Sequence, residues 1–143
     1  MQFQLLGEET KVEINVFSRE YPNSSDYWDG NWLIANVKID IPGYSVDFDG
    51  SVRTDEIQDF YSGLKAMEQN LLGKATLKTI EDFIHFECEI NKLGHIHWSG
   101  ETCYPIGSRA ILQFEFVSDQ TYLQRLLQEL KQMLDEYPVV GHP

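Results

Sequence analysis

Apolar and polar side chains alternate residue by residue along most of this chain, the pattern of β-strands that bury one face. The first clear run covers residues 11–17, where Val12, Ile14 and Val16 share a face. Similar runs follow at 32–41, 44–48, 75–79, 84–90, 95–99 and 110–116. The alternation predicts a mostly antiparallel β-sheet of about seven to eight strands.

In two segments, the apolar residues recur at the spacing of an α-helix. Thr54 is predicted to cap the first helix, whose apolar stripe reaches Leu71 and stops before Gly73. Ser118 or Asp119 is predicted to cap the second, which ends before Pro138. The predicted fold class is therefore α+β, with two amphipathic helices packed on one face of the antiparallel sheet.

The chain has 143 residues, which predicts a single domain over residues 1–143. Each half contains strands followed by one amphipathic helix. An internal duplication, with halves at roughly 1–73 and 74–143, is therefore an open alternative.

The chain carries 23 acidic and 11 basic residues, a net charge of −12. This charge repels phosphate groups and argues against binding to nucleic acid or to an anionic membrane. A basic protein is the complementary partner. The N-terminal residues form no signal sequence, and no run of about 18 apolar residues occurs, which predicts a cytoplasmic protein.

The hairpin at 84–99 offers one arrangement of side chains with possible chemistry. Pairing its apolar faces predicts Cys88 opposite Ile96 and Phe86 opposite Trp98. The other face then pairs Glu89 with His95, Glu87 with His97 and His85 with Ser99. A metal-dependent enzyme that uses His95, His97 and Glu87 is one interpretation. A solvated outer face of Glu–His pairs is the favoured one.

Other catalytic signatures are missing from the sequence. It contains no GxSxG, GxxxxGK[ST], GxGxxG, HExxH or CxxC motif. We therefore predict that the protein is not an enzyme and that it uses no cofactor and no metal.

Aromatic and acidic residues concentrate in 21–33, where Asp29-Gly30 is predicted to form a tight turn. In one interpretation, Trp28 and Trp32 close the end of the core while Asp26 and Asp29 cap backbone amides. In the other, Asp26, Tyr27, Trp28 and Asp29 form a contact surface for a cationic partner, with electrostatic support from Asp47 and Asp49.

The same segment carries a family resemblance. The stretches Arg19–Pro22 and Asp26–Leu33 resemble the signature of the WapI family of bacterial immunity proteins. Further similarities are the Pro42-Gly43-Tyr44 turn, the helix start Asp119–Leu123 and the closing Tyr137-Pro138-Val139-Val140. The resemblance covers nearly the whole chain.

The resemblance implies a cytosolic immunity protein of a contact-dependent or polymorphic toxin system. Such a protein binds the C-terminal toxin domain, typically a nuclease, of a large secreted effector and blocks it inside the producing cell. The resemblance supplies no catalytic residues. A general protein-interaction module with no toxin partner is the remaining alternative.

Overall fold

The computed structural model describes residues 1–143, which form eight β-strands and three α-helices. The elements occur in the order β1 (Gln2–Gly7), β2 (Thr10–Arg19), α1 (Tyr27–Gly30), β3 (Trp32–Ile41), β4 (Tyr44–Arg53), α2 (Thr54–Asn70), β5 (Lys74–Lys78), β6 (Ile84–Ile90), β7 (Ile96–Cys103), β8 (Ile111–Ser118) and α3 (Gln120–Glu136). The predicted α+β class is confirmed. None of the helices is both long and apolar enough to cross a membrane.

The strands are divided between two four-stranded antiparallel sheets, each a simple meander. One sheet has the order β1-β2-β3-β4 and the other the order β5-β6-β7-β8. Strand β1 had no counterpart among the predicted runs, although Phe3 and Leu5 alternate with Gln2 and Gln4 and are fully buried. A strand this short is hard to recognise from the sequence, because apolar and polar residues alternate over only a few positions.

Each long helix packs against the first strand of the other half of the chain. Helix α2 lies on β5, where a Cβ added to Gly63 would come within 3.3 Å of Ala75 Cβ. Helix α3 lies on β1, and Glu129 accepts a hydrogen bond of 3.1 Å from the Gln4 backbone N–H. The helices thus pack on β1 and β5, so the long helix of each half covers an edge strand of the other half. The internal duplication of the sequence stays a prediction.

A single hydrophobic core joins the two sheets and both long helices. It contains 30 buried residues drawn from both halves. Phe60 of α2 lies at its centre, with ring centroids 6.4 Å from Phe3 of β1 and 6.1 Å from Trp98 of β7. The stripe of α2 buries Ile57, Leu64 and Met67 beside Phe60, the spacing that places side chains on one helical face. The core therefore depends on both halves being in place together.

The start of α2 differs from the prediction. Arg53, not Thr54, occupies the N-cap position, and Thr54 is the first helical residue. The Glu56 carboxylate accepts hydrogen bonds from the backbone N–H groups of Arg53, at 2.8 Å, and Ile80, at 2.6 Å. Glu56 therefore ties the helix start to the segment that follows β5, and so links the two halves.

Burial of Glu56 has an electrostatic cost. Removal from water raises the pKa of Glu56 from 4.5 to about 7, against the lowering effect of its two backbone hydrogen bonds. Burial also raises the pKa of Glu129, the other glutamate that receives a hydrogen bond from the opposite half. The folded state therefore favours the protonated form of both carboxyl groups.

We expect the free energy of unfolding to fall as the pH rises from 4.5 to about 7, because folded Glu56 keeps a proton that the unfolded chain has released. A Glu56→Gln variant cannot ionise, so its profile should be flatter by up to roughly 3 kcal/mol across this window. Urea unfolding at several pH values between 5 and 8 measures both profiles. Glu8→Gln, in an exposed turn, is the control, and equal slopes in wild type and Glu56→Gln would contradict the assignment.

Candidate functional site

Residues 26–31 form a one-turn helix rather than the predicted Asp29-Gly30 tight turn. The Asp26 carboxylate caps this helix, α1, by accepting hydrogen bonds of 3.1 Å from the backbone N–H groups of Trp28 and Asp29. Asp29 caps no amide and its side chain is exposed. The structure thus confirms the capping role for Asp26 and leaves the Asp29 carboxylate in solvent.

A buried arginine holds α1 in place. The Arg53 side chain, 1% exposed, donates to the carbonyl oxygens of Trp28, at 2.6 Å, and Tyr27, at 2.8 Å. Its Nε forms an ion pair of 2.9 Å with Asp55. The guanidinium also lies 5.0–5.7 Å from the ring centroids of Tyr27, Trp28 and Trp32. The role of Arg53 was not predicted from the sequence, because its main partners are backbone carbonyl oxygens, which no sequence pattern identifies.

The fixed helix presents Trp28 to solvent. The Trp28 side chain is 57% exposed and packs edge-on against Tyr27, with ring centroids 5.1 Å apart. The interpretation that Trp28 closes the end of the core is therefore wrong, whereas Trp32 is half-buried. This corner therefore exposes an aromatic side chain beside the exposed Asp29 carboxylate.

The C-terminal segment is bound to the same corner. Asn31 is fully buried and exchanges two hydrogen bonds with the backbone of Val140, with Nδ2 3.0 Å from the carbonyl oxygen and Oδ1 2.9 Å from the amide nitrogen. Arg19 donates to the carbonyl oxygens of Gly30, at 2.6 Å, and Pro138, at 2.5 Å. Two parts of the signature segment and the closing residues thus meet in one structural cluster.

Asp47 and Asp49 lie on the outer face of the first sheet, at some distance from α1. Asn36 Nδ2 donates to the carboxylates of both, at 2.9 Å each. They precede Arg53 on β4 by four and six residues, roughly 13–20 Å along a strand. The structure therefore brings Asp26, Tyr27, Trp28 and Asp29 together and places Asp47 and Asp49 farther along the same edge.

The polar face of the second sheet has a different register from the predicted one. The observed pairs are Glu89 with His97, Glu87 with Ser99 and His85 with Glu101. Cys88 is opposite Trp98, and Phe86 is opposite Gly100. His95 lies outside the strands, in a turn where its backbone N–H donates to Asn91 Oδ1 at 3.0 Å. The predicted pairing is wrong by two residues, a slip that keeps the same faces together.

This face forms a shallow groove of about 670 Å³ that is lined by polar side chains, among them His85, Glu87, Glu101 and Glu115. In the observed register, none of His95, His97 and Glu87 lies directly opposite another of the three. No group of three or more His, Cys, Asp or Glu side chains is arranged to hold a metal ion. The structure thus supplies no ligand set for the metal-dependent alternative.

Neither cysteine is placed as an activated nucleophile. Cys88 is a free, buried thiol whose pKa is raised to about 12 by burial. Cys103 is also free and is the last residue of β7, where its Sγ contacts the carbonyl oxygens of Pro105 and Ser108 at 3.5 and 3.4 Å.

A known protein family matches most of the chain. Residues 4–138 match the model of a family described as "Immunity protein WapI-like family". The matched span begins in β1 and ends just after α3, so it includes both sheets and the corner built around Arg53. No curated protein matches the chain.

We expect Arg53→Met to lower the free energy of unfolding by about 3 kcal/mol, because it leaves two carbonyl groups and Asp55 without their donor. Urea unfolding followed by tryptophan fluorescence measures this loss. Arg53→Lys keeps the charge but cannot reach both carbonyl oxygens, and should show an intermediate loss. Arg109→Met, in an exposed loop, is the control, and an Arg53→Met variant as stable as this control would contradict the anchoring role.

Proposed function

We propose that the protein binds and neutralises a cognate toxin domain, from the premise that the chain belongs to the WapI-like immunity protein family. Membership of this family implies a toxin-immunity role, and it confirms the resemblance found in the sequence. The observation that carries the proposal is the family match over residues 4–138, nearly the whole chain. The partner is a toxin domain of a large secreted effector, and the inhibitor acts in the cytoplasm of the cell that makes both.

The charge of the chain favours a basic toxin. Only six of the 23 Asp and Glu side chains form an ion pair with Lys or Arg. Most of the others are exposed and therefore accessible to an external partner, whereas Glu56 is buried. A nuclease has a basic cleft for phosphate groups, and an inhibitor with a net charge of −12 is attracted to such a cleft. We therefore infer a nuclease toxin.

Inhibition by binding requires no chemistry from this chain, and the family suggests a non-enzymatic inhibitor. Opposite charges raise association rates towards about 10⁸–10⁹ M⁻¹s⁻¹ at low salt. Rapid capture is an advantage when free toxin kills the producing cell. Tight binding also needs desolvated anchors, which charge alone does not supply.

The corner around α1 is the first surface proposed for the toxin. Arg53 fixes Trp28 from beneath, so little side-chain and loop freedom is lost when a partner covers it. Asp29 adds an exposed carboxylate, and Asp47 and Asp49 extend the negative charge along β4. Asp26 contributes as the cap that shapes the corner.

The direct experiment is co-purification with the C-terminal domain of the large effector encoded beside this gene, followed by binding measurements across a salt series. A one-to-one complex that weakens steeply with salt supports immunity by charge-guided binding. A complex that is absent at every salt concentration contradicts the proposal and leaves the general interaction module as the better interpretation.

We expect Asp29→Lys to slow association with this toxin domain by about threefold to tenfold at low salt and to make the salt dependence shallower. Stopped-flow mixing measures the rate. Asp26 is left unchanged because its replacement would remove a helix cap worth about 1 kcal/mol.

The matched control is Glu8→Lys, which makes the same charge change in the turn between β1 and β2, at the opposite end of the first sheet. The control should retain nearly the wild-type association rate. Equal slowing by both variants would show a general charge effect and would remove Asp29 from the interface.

A further inference from the structure

An apolar groove lies between the first part of β4 and the segment that joins β7 to β8. Strand β4 is an edge strand that neither long helix covers in the way α2 covers β5 and α3 covers β1, whereas the end of β8 lies against β1, where Ser118 Oγ donates to the Leu6 carbonyl oxygen. The groove has a volume of about 330 Å³ and is lined chiefly by apolar side chains, including Tyr44, Val46, Phe48, Tyr104, Ile111 and Leu112. Both halves of the chain therefore contribute to it.

Large apolar side chains lie open to solvent in this groove. Tyr44 is 64% exposed, Ile111 53% and Tyr104 49%. Phe48 forms the buried floor and stacks on Tyr104, with ring centroids 4.8 Å apart. Single exposed apolar residues are normal on a protein surface, but several that line one concave site mark a place where another molecule binds.

Three carboxylates on β3 and β4 lie next to residues that line the groove and are held by hydrogen bonds. Asp40 of β3 accepts from Ser45 Oγ, on the groove strand β4, at 3.0 Å. Asp47 and Asp49 share the Asn36 amide. Both donor side chains, Ser45 and Asn36, are neutral, and none of the three acids forms an ion pair, although Lys38 is opposite Asp47 in the ladder.

This arrangement identifies the chemistry of the occupant. Neutral donors orient a carboxylate without cancelling its charge, so the site is preorganised for cations. Asp47 and Asp49 alternate with Val46 and Phe48 on an edge strand, and a partner lying across that edge meets both sets. A second copy of this chain would bring three equivalent carboxylates against these three and is disfavoured by repulsion.

We propose that this groove receives a basic segment of the toxin, which inserts an apolar side chain between Tyr44 and Ile111 and places Lys or Arg beside the fixed carboxylates. This inference rests on the proposed function, and it adds the docking groove and the chemistry of the segment that fills it. Strand β4 spans roughly 33 Å. Its edge therefore connects the groove with the corner around α1, which exposes Trp28, within the width of a standard protein–protein interface.

Two variants test the apolar and the charged parts separately. The double variant Tyr44→Ala/Ile111→Ala removes exposed side chains and should raise the Kd for the effector's toxin domain at least tenfold, mainly through faster dissociation. The double variant Asp47→Asn/Asp49→Asn keeps acceptors for Asn36 but removes the charge. It should slow association about threefold to tenfold at low salt and reduce the salt dependence.

The matched control is Leu93→Ala, an exposed apolar side chain in the turn between β6 and β7. It should bind with the wild-type Kd. Circular dichroism and urea unfolding check that each variant is folded, and sedimentation velocity of the wild type without toxin reports self-association.

The outcomes separate the groove from the proposed function. If the wild type binds the toxin domain and both double variants bind it equally well, the groove proposal is overturned while the immunity role stands. A wild-type dimer that Tyr44→Ala/Ile111→Ala dissociates would assign the groove to a second copy and overturn the basic segment. No wild-type complex at any salt concentration overturns both proposals together.

Discussion

The buried guanidinium of Arg53 is the interaction on which the arrangement of this protein depends. It lies where β4 ends, α2 begins and α1 crosses, and its donors are used by two backbone carbonyls and Asp55. A charge removed from water is tolerated only when its donors are satisfied, so the three elements must adopt one relative position. The aromatic rings of Tyr27, Trp28 and Trp32 complete its surroundings.

This constraint has a consequence for the surface. Arg53 binds α1 through backbone carbonyl oxygens, among them that of Trp28. The Trp28 side chain is therefore free to face solvent. Glu56, next to Arg53, connects the same junction to the second half through Ile80. The corner proposed for toxin binding is thus joined directly to the contact between the two halves, and changes in the protonation of Glu56 act on that contact.

The reciprocal packing of the long helices decides which strand edges stay open. Helix α2 covers β5 and α3 covers β1, while β4 keeps an exposed edge and forms the apolar groove with the segment that joins β7 to β8. An exposed edge invites pairing with other chains, and charged side chains are the usual defence. Here Asp47 and Asp49 provide that defence, and a basic partner converts the same charges into attraction. The groove and the Trp28 corner lie along one edge of the molecule, which suits a single extended interface.

The sequence by itself determined the α+β class, the two amphipathic helices and the family, because each of these follows from local periodicity or from contiguous signature residues. Tertiary structure decided the register of β6 and β7, since a slip of two residues preserves every face and only the Asn91 turn distinguishes the alternatives. It also decided the role of Arg53, whose main partners are carbonyl oxygens that every residue carries and no sequence pattern identifies. The groove likewise required the fold, because Tyr44 and Ile111 meet only when both halves have packed together.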